Sequence, residues 1–119
     1  MNALLIFLAL KVSAIGAGTG VESRTLVGVA SKFPADGQPV FVHATLTHEG
    51  APAPITWVWR QGSTERWRTT QTIGPSEGWR TWTRMHMPKE SVGSWTVEVQ
   101  DAQGTVLHAV LFDVVAAGG

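Results

Sequence analysis

Tryptophan and arginine are the residue types of this chain that are best suited to chemistry, and they are interleaved in one stretch. All six tryptophans lie between residues 57 and 95, together with five arginines. Tryptophan faces can stack on sugar rings, while guanidinium groups donate hydrogen bonds to hydroxyl groups or to an anionic polymer. The candidate ligand surface consists of Trp59, Trp67, Trp82, Arg68 and Arg84. This pattern indicates a carbohydrate- or polyanion-binding module that uses a Trp/Arg surface.

A buried tryptophan core is the competing interpretation of the same pattern. Large aromatic side chains supply much of the buried area of a small domain, and arginine stems can lie along their faces. A β-hairpin is predicted over residues 65–73 and 79–87, with residues 74–78 as its turn. That register places Arg68 opposite Arg84, and two like charges across a strand pair are destabilising unless an anion or a carboxylate counters them. The predicted pairing is therefore a second indication of anion binding.

Residues for catalysis or metal binding form no recognisable motif. Met85, His86 and Met87 carry the thioether and imidazole groups that suit copper(I). In a strand, however, His86 points away from the two methionines. The sequence contains no Gly-x-Ser-x-Gly motif and no cysteine, and its nine acidic residues are dispersed. The sequence therefore predicts a protein that is not an enzyme and that has no metal site and no cofactor.

Composition restricts the partners of the protein. A length of 119 residues is most simply one domain. The formal net charge is zero and only 15% of the residues are charged, so bulk electrostatics does not favour nucleic-acid binding. Without cysteine the chain has no disulfide bonds and no thiolate ligands.

The N-terminus begins with the apolar run Met1–Leu10, followed by Lys11 and the small residues 12–14. An apolar core and a small-residue site are typical of a secretory signal, but a basic start is missing. The run is also shorter than the ~20 residues that cross a bilayer as a helix. Two interpretations stay open: a cleaved signal, or a retained arm that lies against a partner or a membrane surface. We assign residues 1–17 to this segment and residues 18–119 to a single β-sandwich domain.

Short alternating segments separated by turns predict an all-β fold. In residues 39–47 the alternation places Val40, Val42, Ala44 and Leu46 on one face and Phe41, His43, Thr45 and Thr47 on the other. Residues 94–100 alternate in the same way, and residues 105–115 form the last predicted strand. The pattern predicts an antiparallel, immunoglobulin-like β-sandwich of about seven to nine short strands.

Several motifs are similar to those of a known bacterial family. They are Trp57-Val58-Trp59-Arg60, Trp79-Arg80-Thr81-Trp82-Thr83, the segment 93–99, the turn 101–104 and Phe112-Asp113-Val114. With these motifs the chain resembles the bacterial domain-of-unknown-function family 2914. The resemblance implies an all-β accessory domain of exported or envelope proteins. It implies no catalytic residues.

The last predicted strand is apolar on both faces. Val106, Val110, Phe112 and Val114 alternate with Leu107, Ala109 and Leu111, although a strand with one face in water should be polar on that face. Either another part of the chain, such as residues 3–10, covers the outer face, or a protein partner or lipid does.

These observations support a first hypothesis for function. It is a non-enzymatic protein-interaction module, exported to the periplasm or associated with the cell envelope, that acts as an accessory or structural subunit of a larger, membrane-associated assembly. The predicted protein interface consists of Leu4, Leu5, Ile6, Phe7, Leu8, Leu107, Ala109 and Leu111. The alternative is the glycan- or polyanion-binding module described above.

Overall fold

The computed structural model describes residues 10–118, which form ten β-strands, one short 3-10 turn and no α-helix. The strands are β1 (Lys11–Gly18), β2 (Gly20–Glu22), β3 (Thr25–Val27), β4 (Lys32–Pro34), β5 (Pro39–His48), β6 (Ala53–Gln61), β7 (Thr64–Ile73), β8 (Ser76–His86), β9 (Gly93–Gln100) and β10 (Val106–Val115). The 3-10 turn is Lys89–Ser91. The prediction of an all-β fold is therefore confirmed.

The strands form two main sheets and one small hairpin. The first sheet has the order β1-β5-β8, the second has the order β4-β10-β9-β6-β7, and β2 pairs with β3. All of these pairs are antiparallel except β4 and β10, which run parallel over three residue pairs. The antiparallel prediction therefore holds for every described pair except this one, where the chain enters β4 at the edge of the second sheet.

The two main sheets share one hydrophobic core. The alternation of β5 buries Val40, Val42, Ala44 and Leu46, as the sequence predicts. They belong to one cluster with Trp57 and Trp59 of the second sheet. The Trp59 indole N–H also donates to the Thr83 hydroxyl of the first sheet over 3.1 Å. The sheets are thus joined by apolar packing and by a buried hydrogen bond.

The predicted hairpin over residues 65–73 and 79–87 is wrong. β7 pairs with β6 in the second sheet, and β8 pairs with β5 in the first. Gly74 and Pro75 carry the chain from one sheet to the other, because both strands bury their inner faces against the core from opposite sides. Gln71 links the two strands through its side chain: its amide donates to the Trp82 carbonyl oxygen over 3.2 Å.

Strand β10 has a register shift that alters its predicted facing. The shift lies between Val106 and His108, opposite Gln100 and Val99. As a result Val106 is 46% exposed, whereas Leu107 packs against the core. The prediction placed Val106 inside and Leu107 outside, so both assignments are wrong, since a β-bulge moves the side chains beyond it to the other face.

The structure covers the N-terminal predictions only in part. The predicted interface residues Leu4, Leu5, Ile6, Phe7 and Leu8 lie outside the described residues. Lys11–Gly18 is strand β1, so the predicted boundary between residues 17 and 18 falls within a strand. In the part of the chain that the structure describes, no helix is long and apolar enough to cross a membrane.

Trp95 provides a test of the core. Its ring is 1% exposed and stacks on Phe112, with centroids 6.3 Å apart. We expect Trp95→Ala to lower the free energy of unfolding by about 3–5 kcal/mol, as a large-to-small core change does. Leu111→Ala, at a side chain that is 71% exposed, should change it by no more than about 0.5 kcal/mol. Urea denaturation measures both, and a loss below about 1 kcal/mol for Trp95→Ala would contradict the burial of this ring.

Candidate functional site

The outer face of the first sheet carries a cluster of aromatic and basic side chains. Three cross-strand pairs form it: Phe41 with Arg84, His43 with Trp82, and Thr45 with Arg80. Opposite residues of an antiparallel pair share a face, and the intervening residues of β5 are buried in the core. We call these six residues, Phe41, His43, Thr45, Arg80, Trp82 and Arg84, the Arg–aromatic face.

The rings of this face are ordered by stacking. The His43 and Trp82 rings are nearly parallel, at 7°, with centroids 5.7 Å apart. The guanidinium carbon of Arg84 lies 5.8 Å from the centroid of the Phe41 ring, within the range of a cation–π contact. Trp82 is half-buried, so part of a stacked aromatic surface remains available between two arginines.

The charge of this face is not balanced by acidic residues. No Asp or Glu occupies a paired position on the outer face of β1, β5 or β8. Within residues 10–118 two ion pairs occur, and both lie in the second sheet: Arg60 with Glu98 at 3.4 Å, and Arg68 with Glu65 at 2.7 Å. The net-neutral chain therefore presents one face with excess positive charge.

On β7 the positive charge of Arg68 is balanced by the carboxylate of Glu65. The Arg68 guanidinium donates two hydrogen bonds to the Glu65 carboxylate. This bonding lowers the pKa of Glu65 and raises the pKa of Arg68. Arg68 therefore already has an anionic partner, which Arg80 and Arg84 do not have among the described residues.

The β2–β3 hairpin lies over β1 at the side of the Arg–aromatic face. Leu26 reaches the backbone of β1 because two glycines leave room for it. A Cβ atom on Gly16 would lie 3.0 Å from the Leu26 side chain, and one on Gly18 would lie 2.9 Å from it and would clash with the Val27 carbonyl oxygen. The His43 ring fastens the hairpin from below, since its Nε2 donates to the Arg24 carbonyl oxygen over 2.8 Å.

A groove of about 350 Å³ separates this hairpin from β8. Arg24 lines it from the hairpin and Arg80 from β8, while His43 and Thr45 lie between them on β5. Its volume is within the range of small-molecule sites, roughly 300–1,000 Å³. The groove continues the Arg–aromatic face and adds a concave element to it.

The structure separates the sequence-predicted ligand residues into three places. Trp82 and Arg84 belong to the Arg–aromatic face. Trp59 is completely buried and cannot belong to a ligand surface, because it fills the space between the sheets. Trp67 is 39% exposed and packs on Trp59 at the edge of the second sheet. Arg68 lies on the outer face of that sheet with Glu65.

Five residues of the site were missed by the sequence prediction: Arg24, Phe41, His43, Thr45 and Arg80. The alternation of β5 already places Phe41 and His43 on one outer face. The missing information was the pairing of β5 with β8, which brings that face beside Trp82.

The predicted protein interface on β10 exposes fewer apolar side chains than the sequence predicts. Of the predicted interface residues on β10, Leu111 is 71% exposed, Ala109 is half-buried and Leu107 packs against the core. The neighbours of Leu111 and Ala109 on β9 are polar, namely Thr96 and Glu98. The apolar outer patch therefore reduces to a single prominent leucine.

The potential metal ligands Met85, His86 and Met87 do not converge in the structure. Met85 and Met87 pack into the core, whereas His86 is exposed. A cavity of about 740 Å³ is lined by Lys11, His48 and two glutamates at the ends of β5 and β8. Across residues 10–118 no three His, Asp or Glu side chains are grouped so that they could hold a metal ion.

Two sheets on one core, with a basic aromatic outer face, define an all-β protein with a candidate binding surface. The chain belongs to the family described as Protein of unknown function (DUF2914), whose family model matches residues 52–114. The resemblance found in the sequence is therefore confirmed. The match begins at residue 52. It therefore includes β8, with Arg80, Trp82 and Arg84, but neither the β2–β3 hairpin nor β5. No curated protein matches the chain.

Docking of the hairpin on β1 gives a second test. We expect Gly18→Ala to displace the hairpin and to lower the free energy of unfolding by about 1–3 kcal/mol, because the added methyl group overpacks against Leu26 and Val27. Gly78→Ala is the matched control, since its methyl group would meet nothing within 4 Å. Limited trypsin digestion should cut after Arg24 faster in Gly18→Ala than in Gly78→Ala. Equal cutting rates would show that the glycine is not required for docking.

Proposed function

We propose that this protein is a non-enzymatic module that binds an anionic polysaccharide through the Arg–aromatic face. The observation that carries the proposal is the alternation Arg80-Thr81-Trp82-Thr83-Arg84 on one strand. It places two guanidinium groups on either side of a half-buried indole, with no carboxylate opposite them.

The chemistry of this arrangement matches an acidic glycan. A tryptophan face packs on the apolar face of a sugar ring, and the polar edge of the ring remains free for hydrogen bonds. Guanidinium groups bind carboxylates, sulfates or phosphates in a bidentate manner, with charge-assisted hydrogen bonds. Arg80 and Arg84 are four residues apart in an extended strand, so their backbones lie about 13 Å apart along it. They can therefore contact different anionic groups of one chain.

The fold and compartment form part of the same proposal. Two sheets with mainly antiparallel pairing around one core are consistent with an immunoglobulin-like sandwich. An exported location, in the periplasm or at the cell envelope, would bring such a domain to polysaccharides. The apolar run at residues 1–10 and the family resemblance support that location.

Binding of defined oligosaccharides tests the proposal. The full chain should bind an oligogalacturonate hexamer in isothermal titration calorimetry and should bind a neutral galactose hexamer much more weakly. The double variant Arg80→Gln/Arg84→Gln should raise Kd at least about tenfold, because it removes charge-assisted hydrogen bonds. Arg66→Gln/Arg68→Gln removes the same charge from β7 and should leave Kd within about twofold.

Three results would contradict the proposal. Equal losses in the two double variants would indicate diffuse attraction rather than a site. Equal affinity for the acidic and the neutral hexamer would remove the role of the arginines. Tighter binding of a single-stranded oligonucleotide than of every acidic glycan tested would identify a different ligand class.

A protein-interaction function is the second candidate, and the exposure of Leu111 favours it. Leu111 is 71% exposed on the outer face of the second sheet, with Ala109 on the same face, so its side chain is accessible to a partner. In this proposal the protein is an accessory subunit of a larger, membrane-associated assembly, and Ala109 and Leu111 form the part of its interface within the described residues.

Co-purification from the native source tests this second candidate. Leu111→Glu should abolish recovery of the partner that the unaltered chain recovers and that mass spectrometry identifies, while the domain stays folded. Val106→Glu places the same charge at another exposed position of β10 and should retain the partner. Unchanged recovery with Leu111→Glu would rule out this interface.

A further inference from the structure

The two-residue loop of the β2–β3 hairpin has an unusual backbone. β2 ends at Glu22 and β3 begins at Thr25, so Ser23 and Arg24 form the entire loop. Their φ angles are +50° and +65°, and no other non-glycine residue in the described part of the chain has a positive φ. Two consecutive positive φ angles are typical of a type I′ turn, which strongly favours pairs such as Asn-Gly.

This conformation is unfavourable for an arginine. A positive φ brings Cβ close to the carbonyl oxygen, and only glycine adopts it without a steric penalty. Backbone conformations of this kind persist where the surroundings enforce them, and they are concentrated at binding and catalytic sites. Here the enforcing contact is the hydrogen bond from His43 Nε2 to the Arg24 carbonyl oxygen. Arg24 is therefore held in a strained loop by a residue of the Arg–aromatic face.

Arg24 lines the groove beside the Arg–aromatic face, and this position gives a reason for the strained loop. Arg24 and Arg80 line the same groove from opposite elements, the hairpin and β8, and no Asp or Glu lines it. Neither arginine forms an ion pair within residues 10–118. A turn with glycine at this position would be easier to form, but it would leave the groove with one guanidinium group.

We infer that Arg24 is a ligand-binding residue and that the groove is the subsite for one acidic sugar, a hexuronate, of the bound polysaccharide. The inference rests on the proposed function and names the ligand class and a further residue for it. The carboxylate of the hexuronate lies between Arg24 and Arg80 and accepts hydrogen bonds from both.

His43 adds a requirement for a hydroxyl group. Its Nε2 must carry a hydrogen, because its partner is a carbonyl oxygen that can only accept. In the neutral ring Nδ1 is then an acceptor, and a sugar hydroxyl can donate a hydrogen bond to it. A hexuronate supplies a carboxylate and hydroxyl groups on one ring, and the stacked indole of Trp82 lies beside it for the next sugar of the chain.

Two glycine variants in the same loop test the inference. Arg24→Gly and Ser23→Gly both replace a residue with positive φ by the residue that prefers it, so their effects on the loop are alike. Only the first removes the guanidinium group. Isothermal titration calorimetry with the oligogalacturonate hexamer should give a Kd at least about tenfold higher for Arg24→Gly, and an unchanged Kd for Ser23→Gly. Urea denaturation establishes that both variants are folded, and Arg24→Gln repeats the charge removal without the glycine.

The outcomes separate this inference from the proposed function. If the unaltered chain binds the hexamer and neither glycine variant changes Kd, the groove is not the hexuronate subsite, while the proposed function stands. If Arg24→Gly and Ser23→Gly lose affinity equally, the loop shape rather than the guanidinium group is required, and the role of Arg24 is overturned. If the unaltered chain binds no acidic glycan, the proposed function fails and the inference fails with it.

Discussion

The packing of three buried tryptophans between the sheets is the interaction on which the rest of the structure depends. Trp57, Trp59 and Trp95 are almost completely buried, and each indole N–H has a hydrogen-bond acceptor. A buried indole without an acceptor would cost about 1–3 kcal/mol, so these bonds also select the arrangement of the chain. The bond from Trp59 to Thr83 turns one face of β8 inward, and the alternation of the strand then turns Arg80, Trp82 and Arg84 outward.

The distribution of charge between the two outer faces follows from that arrangement. In the second sheet Arg60 pairs with Glu98 and Arg68 pairs with Glu65, whereas Arg66 forms no ion pair within residues 10–118. The first sheet has no such partners on its outer face. An exposed ion pair contributes little to stability, so the fold does not require compensation on either side. Leaving Arg80 and Arg84 without carboxylate partners therefore costs the fold little, and it keeps both guanidinium groups available to the anionic ligand that we propose.

The docking of the β2–β3 hairpin depends on two glycines of β1, and its loop has a strained backbone. Gly16 and Gly18 let Leu26 approach β1 closely, and this docking places the loop above His43. The histidine then holds the Arg24 carbonyl oxygen, which keeps an unfavourable backbone conformation in place. Since the family match covers residues 52–114, the groove combines a strand inside the matched region with a hairpin and a strand outside it.

Alternation along each strand is a local property, and the sequence by itself determined it. The inward residues of β5 and of β9 and the outward placement of Phe41 and His43 could be read from a period of two, because successive side chains of a strand point to opposite faces. Only the tertiary structure decided which strands pair. The turn at Gly74 and Pro75 is compatible with a hairpin. However, β7 and β8 lie in different sheets, because each strand buries its inner face against the core from an opposite side. The bulge in β10 and the placement of Arg24 and Arg80 at one groove depend in the same way on contacts between distant segments, which no local pattern encodes.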